Sequence, residues 1–229
     1  MRDTLERHNQ DFSEETHWEQ AAKTRLGKYL TRLETGFISR AVDSAKTGMI
    51  IDVGAEAGRF SLLTANRKIM VAAIDIDAYS LRRLKQKNRD VVVIQADARN
   101  IPFKDASFDG LFMIEVLDYI PQLEDALGEC KRVLKQEAPF VFSFGNQSSL
   151  KAKLRGLQGK VYMHSYEKVM QCLAKTGFNV RAKLGYNWLP FGRTSQSLLV
   201  PFLAGLEKVS LLRRAPSLSP WVMVHATKS

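Results

Sequence analysis

The sequence predicts a doubly wound, Rossmann-like α/β fold on three observations. Short continuous apolar runs alternate with amphipathic helical patterns between residues 49 and 144. The first of those runs leads into a turn bearing two glycines, and the next two end in aspartate. No apolar run reaches the roughly 20 residues that a membrane-spanning helix needs. Continuous apolar strands separated by helices mark a parallel sheet covered on both faces. Right-handed crossovers then distribute the helices to its two sides.

The 229 residues are 45% hydrophobic, enough for one sizeable core, so a single domain over 1–229 is expected. A charged fraction of 25% with that much apolar content excludes a disordered chain. The stretch 1–20 is polar and acidic and lacks the apolar centre of a secretory signal, which suggests a cytoplasmic protein.

Residues 13–45 have a helical pattern, with Trp18, Ala22, Leu26, Leu30 and Leu33 on one side. Met49–Val53 is the first strand, followed by Gly54, Gly58 and a short helix carrying Phe60, Leu62 and Leu63. "IMVAAID" (69–75) is the second strand, and a helix over 79–87 follows. "VVVIQAD" (91–97) is the third and "FDGLFMIEV" (108–116) the fourth. A helix over 122–135 buries Leu123, Ala126, Leu127, Cys130, Val133 and Leu134, and "PFVFSF" (139–144) is the fifth strand. After a polar stretch, "SYEKVMQCLAKTG" (165–177) is a helix closed by Gly177 at its C-terminal cap. Strands over 178–185 and 221–228 bracket an insertion, 186–220, whose 201–212 part is an amphipathic helix with proline in its first turn.

The net charge is +10. Nucleic acid, an anionic membrane surface and a generally basic exterior all fit that value. The basic runs 81–89, 131–135 and 151–160 fall in separate elements; the first two are solvated helix faces. Cys130 and Cys172 lie in amphipathic helical patterns as buried thiols, and the four histidines are scattered, so no metal site is expected.

Ligands of such folds bind beyond the carboxyl ends of the strands. The first loop, "IIDVGAEAGRFSLL" (50–63), does not fit G-x-G-x-x-G, because positions 56 and 59 are Glu and Arg. It fits acid-x-G-x-G-x-G at Asp52, Gly54 and Gly58 and departs only at Glu56. Asp75, about twenty residues on, can accept hydrogen bonds from both ribose hydroxyls, with Asp77 as a substitute. Asp97 can accept from an exocyclic adenine amine, and the backbone of Ala98 can reach the adjacent ring nitrogen. Acids at neighbouring strand ends suit an adenosine without phosphates, which they would repel. The same residues also have structural uses: the glycines for strand–helix packing, and the aspartates as helix N-caps.

With those residues in place, the run 50–145 resembles class I S-adenosylmethionine-dependent methyltransferases, and within them the broad group that includes the ubiquinone/menaquinone-biosynthesis enzymes. "AIDID" resembles the ribose-binding motif. "ADARNIPFKDASFDGLFMIEVLDYIPQLEDALGECKRVLK" is similar to the family almost throughout, and "HSYEKVMQCLAKTGFNV" resembles its late helix and strand. The resemblance covers 48–184 with 221–228. It implies a seven-stranded, mostly parallel sheet whose last strand is antiparallel, and S-adenosylmethionine as cofactor. It places Asp52, Gly54 and Gly58 at the methionine part, Asp75 at ribose, Asp97 and Ala98 at adenine, and Glu115 near the transferred methyl. Two positions depart from the family: Glu56 replaces the middle glycine, and "KQEAPF" (135–140) lacks paired glycines. The Glu56 carboxylate is expected to turn outward.

The implied activity is methyl transfer to a small-molecule acceptor that is apolar, lipid-linked or sugar-bearing. His164 is the candidate general base, with Tyr119 and Tyr162 behind it. The N-terminal helical segment (13–45) and the 186–220 insertion, with Tyr186, Trp188, Phe191, Phe202 and Arg193, are expected to form a cap over the acceptor. Lys208, Arg213 and Arg214 give the insertion a side that suits anionic lipid. An RNA methyltransferase and a non-catalytic binding protein are the alternatives, raised by the charge and by Glu56 respectively. Oligomeric state does not follow from these residues.

Overall fold

The computed structural model describes residues 14–43, 48–65, 69–155 and 164–229. Seven strands form one sheet: β1 (Met49–Val53), β2 (Met70–Asp75), β3 (Val92–Gln95), β4 (Gly110–Met113), β5 (Pro139–Gly145), β6 (Phe178–Tyr186) and β7 (Trp221–Lys228), in the order β3-β2-β1-β4-β5-β7-β6. β1 pairs in parallel with both β2 and β4, through Ile50↔Val71 and Ile50↔Gly110. β7 alone runs against its neighbours, pairing antiparallel with β5 and β6. The expected doubly wound sheet with an antiparallel last strand is thus observed.

Strand side chains alternate between two cores. Ile51, Val53, Leu111, Met113, Phe140 and Phe142 face the helices Leu123–Val133 and Tyr166–Lys175. Ile50, Phe112, Val141 and Met223 face the long helix Arg25–Asp43, through its Leu26, Leu30 and Ile38. Both faces are covered, so these strands are apolar at most positions rather than at alternate ones, with buried Asp52 and Ser143 among the exceptions.

Three boundaries differ from expectation. The N-terminal segment is two helices, α1 (His17–Lys23) and α2 (Arg25–Asp43), broken at Thr24. Thr24 has extended backbone, and its hydroxyl accepts from Gly27 N, capping α2. β4 is shorter than 108–116. Asp109 spends its carboxylate on Met49 N and Lys135 Nζ, while Glu115 has a left-handed φ of 63°. The insertion helix spans Val200–Val209, and Leu211–Arg214 turns as a separate 3-10 segment. Gly177 caps its helix as expected, at φ 74°.

Strand order reverses between β1 and β4. The crevice beyond the carboxyl ends of β1, β2 and β4 is therefore the switch point where such folds bind ligands.

Candidate functional site

At that switch point lies a cavity of about 960 Å³. Its floor is the loop after β1 and its walls are the strand ends carrying Asp75, Asp97 and Glu115, while α1 contributes Thr16, Trp18 and Glu19. The size lies at the upper end of the roughly 300–1,000 Å³ of small-molecule sites.

The first loop is built by backbone conformation. Gly54 has φ 73°, and its N–H donates to Ile74 O at 2.8 Å. A Cβ there would come within 2.2 Å of Val116 Cγ2. Gly58, at φ 86°, lies outside the cavity wall; a Cβ on it would meet Leu84 Cδ1 at 2.2 Å. Gly58 thus serves packing against the helix Ala78–Lys87.

Glu56 keeps the left-handed backbone of the glycine it replaces, at φ 51°. Its N–H donates to Asp75 Oδ2 at 2.8 Å, tying the first loop to the second strand end. Its carboxylate does not turn out to solvent, contrary to the expectation. One oxygen accepts from Ala57 N, and the other is buried without a hydrogen-bond partner. Nor does it pair with Arg59, which goes to Glu34 and Glu115. Burial raises the Glu56 carboxyl above its ordinary range, against the opposing effect of Thr16 and Ala57 N. Glu137, the second departure from the family's glycines, likewise holds a left-handed φ of 59°. Both glutamates accept a conformation that costs an L-residue about 1–2 kcal/mol.

The acids separate by role. Asp75 accepts from the amides of Glu56 and Asp77, which aim its carboxylate at the cavity. Asp77 caps the following helix through Tyr79 N and Ser80 N, so its carboxylate is committed to that cap. Asp97 lies on the wall beside buried Ala98, and Arg99 already grips it through its backbone N, Nε and Nη2. That grip holds the Asp97 carboxyl below its ordinary range. Asp52 is buried beneath the loop and accepts from Ser61 Oγ; burial pushes its carboxyl up to about 7.

Glu115 lies on the wall within a buried cluster. Its carboxylate pairs with Arg193 and, at 3.4 Å, with Arg59 Nη2. Arg59 Nη1 also reaches Glu34 Oε2 at 3.2 Å, and Tyr186 Oη donates to Glu34 Oε1 at 3.0 Å. Burial acts to raise both carboxyls. At Glu115 the two arginines outweigh it and hold the group low; at Glu34 burial wins and the group is raised. Glu34 escaped sequence reading, yet a signal was present: Leu26, Leu30, Glu34 and Ile38 repeat every four residues on the buried stripe of α2.

The structure brings Gly54, Asp75, Asp97, Ala98 and Glu115 to one cavity. It does not bring His164 there. That ring is buried, with Nε2 2.9 Å from Ile120 O, and burial holds its pKa down. Tyr162 falls outside the described residues. Nor do Tyr186, Trp188, Phe191 or Phe202 line the cavity. Its cover comes instead from α1, whose Thr16 and Glu19 form a capping box. Glu19 pins α1 down by ion pairs to Arg83 and Lys87, both at 2.6 Å.

Residues 51–142 match a family model described as a methyltransferase domain. The 24-methylenesterol C-methyltransferase 2 of Oryza sativa subsp. japonica is 28% identical over 132 residues, 55% of this chain and 36% of that protein. The malonyl-[acyl-carrier protein] O-methyltransferase of Geobacter sulfurreducens is 27% identical over 168 residues, 66% of this chain and 62% of that protein. The chain therefore spans less than two thirds of the length of these curated relatives. In fold, it matches magnesium protoporphyrin IX methyltransferase from Synechocystis PCC 6803, solved with SAH bound, at a TM-score of 0.66 and 14% identity, covering 100% of this chain and 94% of that one. Over residues 51–142 the chain thus resembles a methyltransferase domain.

Proposed function

We propose that the protein transfers the methyl group of S-adenosylmethionine to a small-molecule acceptor with an apolar body. One observation carries the proposal: two carboxylates, Asp75 and Asp97, stand at neighbouring strand ends on the wall of one cavity, above a loop whose backbone leaves it open at Gly54. The Asp75 carboxylate, aimed into the cavity, suits ribose hydroxyls and repels phosphate, and Asp97 is held in place beside it by Arg99. The residues fit the cofactor: Asp75 has acceptor capacity left for ribose hydroxyls, and we assign Asp97 and the Ala98 backbone, on the same cavity wall, to the adenine edge.

When bound, the cofactor supplies an electrophilic methyl on a sulfonium. The chain's own task is placement and the exclusion of water. Trp18, Phe60, Ile74, Ile114 and Val116 furnish apolar walls. Holding two reactants at near-attack distance contributes about 7–11 kcal/mol. The Glu115 carboxylate, neutralised by its pairs with Arg193 and Arg59, gives that part of the wall a fixed, buried polar lining. Among the described residues lining the cavity there is no histidine, so placement rather than a histidine base is the working principle. The printed name of one matched relative, a 24-methylenesterol C-methyltransferase, supports an acceptor of apolar character.

Calorimetric titration with S-adenosylmethionine and S-adenosylhomocysteine tests the proposal. Saturable micromolar binding of both is expected; no heat at millimolar ligand overturns it.

A further inference from the structure

The helix Val200–Val209 has a buried face and an exposed apolar one. Val200, Ala204 and Glu207 turn inward and are buried. Phe202, Leu206 and Val209, at the same i, i+4, i+7 spacing, turn outward; Phe202 is 65% and Val209 80% exposed. Leu198 and Leu199 before the helix and Leu211 after it extend that exposed surface, with Leu198 at 77%. Contiguous exposed apolar surface of this kind marks an interaction site rather than ordinary solvent-facing scatter.

The charge around it has one sign. The 186–220 insertion that carries the helix holds four lysines and arginines, Arg193, Lys208, Arg213 and Arg214, and a single acid, Glu207. That acid is withdrawn from the surface: it is 2% exposed, accepts from Tyr29 Oη at 2.6 Å and Trp188 N at 3.0 Å, and pairs with Arg213. Lys208 and Arg214 remain exposed beside the apolar residues.

We propose that this face, Leu198–Leu211 with Lys208 and Arg214, docks onto an anionic lipid bilayer, the apolar side chains entering the headgroup boundary and the cations meeting lipid phosphates. An apolar face flanked by cations is the composition of an interfacial helix. RNA has no use for six exposed aliphatic and aromatic side chains, because its affinity comes from phosphate contacts. A second copy of this chain would set two cationic surfaces against each other. The proposal concerns a surface outside the cavity and stands independently of methyl transfer.

Flotation of the full chain with vesicles, without cofactor, tests it. The protein is expected to float with mixed phosphatidylcholine–phosphatidylglycerol vesicles and not with phosphatidylcholine alone. The double variant Phe202→Glu/Val209→Glu, at exposed positions, should lose at least about tenfold in partitioning, and Lys208→Glu/Arg214→Glu should lose binding that wild type loses in high salt. The thermal melt and the affinity for S-adenosylhomocysteine should match wild type in both variants. Absence of flotation by wild type overturns the proposal, as does flotation that survives Phe202→Glu/Val209→Glu. A dimer in sedimentation velocity that the same variant dissolves, with no vesicle binding, overturns it in favour of a second copy.

Discussion

Arg193 and Glu115 form an ion pair inside the cavity wall, joining the 186–220 stretch to the end of β4. Arg59 extends the pair to Glu34 on α2, so four parts of the chain distant in sequence meet in one buried charge cluster. Removing one partner of such a cluster leaves a buried charge uncompensated, which costs about 3–5 kcal/mol. Glu115→Gln is expected to lower stability by that order in urea unfolding. Adding Arg193→Met should restore part of the loss, because the orphaned guanidinium is then gone. A loss below about 1 kcal/mol in the single variant, the value of a surface pair, refutes a structural role.

Asp75 is aimed into the cavity by two amides and is the carboxylate we propose for ribose. Asp75→Ala is expected to weaken binding of S-adenosylhomocysteine by about 1.5–3 kcal/mol, roughly tenfold or more. Unchanged affinity by calorimetry would show that the nucleoside lies elsewhere.

Glu56 combines a left-handed backbone with a carboxylate folded into the loop, and two variants separate these effects. Glu56→Gln removes the charge only and should tighten binding of the cofactor, whose methionine part carries its own carboxylate. Glu56→Gly should tighten binding as well. It also relieves the left-handed strain of about 1–2 kcal/mol, less the roughly 0.5–1 kcal/mol entropic cost of glycine. Calorimetry and thermal melts read the two effects independently; equal or weaker binding in both variants counts against interference by the carboxylate.

The Asp52 carboxyl gives stability a pH dependence of defined sign. Burial raises it to about 7, with Ser61 opposing and Asp75 assisting, so the folded protein holds this proton more tightly than the unfolded chain. Its stabilising contribution is full below pH 3.8, the ordinary aspartate value, and is lost as pH rises through about 7. Asp52→Asn should therefore gain stability relative to wild type across that window, by up to about 4 kcal/mol. A constant difference between the two proteins from pH 4 to pH 8 would exclude the linkage.

His164→Gln should leave the affinity for S-adenosylhomocysteine unchanged and lower stability by about 1 kcal/mol, the value of one buried hydrogen bond, here to Ile120 O. A pH–rate profile that loses a limb in this variant would restore the histidine as a base.

The sequence alone determined the sheet and the floor of the site, because both are written in local patterns. Apolar runs of strand length ending in Asp75 and near Asp97, and glycines at 54 and 58, lie close along the chain, and their spacing is a backbone requirement. Tertiary structure decided the rest. The capping box Thr16–Glu19 is a local pattern, but its docking over the cavity depends on Arg83 and Lys87, more than sixty residues away. Asp52, Asp75, Asp77 and Asp97 look alike as acids at or near strand ends. Burial and partners make one a buried group under the loop, one the carboxylate facing the cavity, one a helix cap and one a partner of Arg99. Glu34 and Arg193 show no local sign of meeting Glu115, because a charge cluster is assembled by packing and its members need no fixed spacing along the chain.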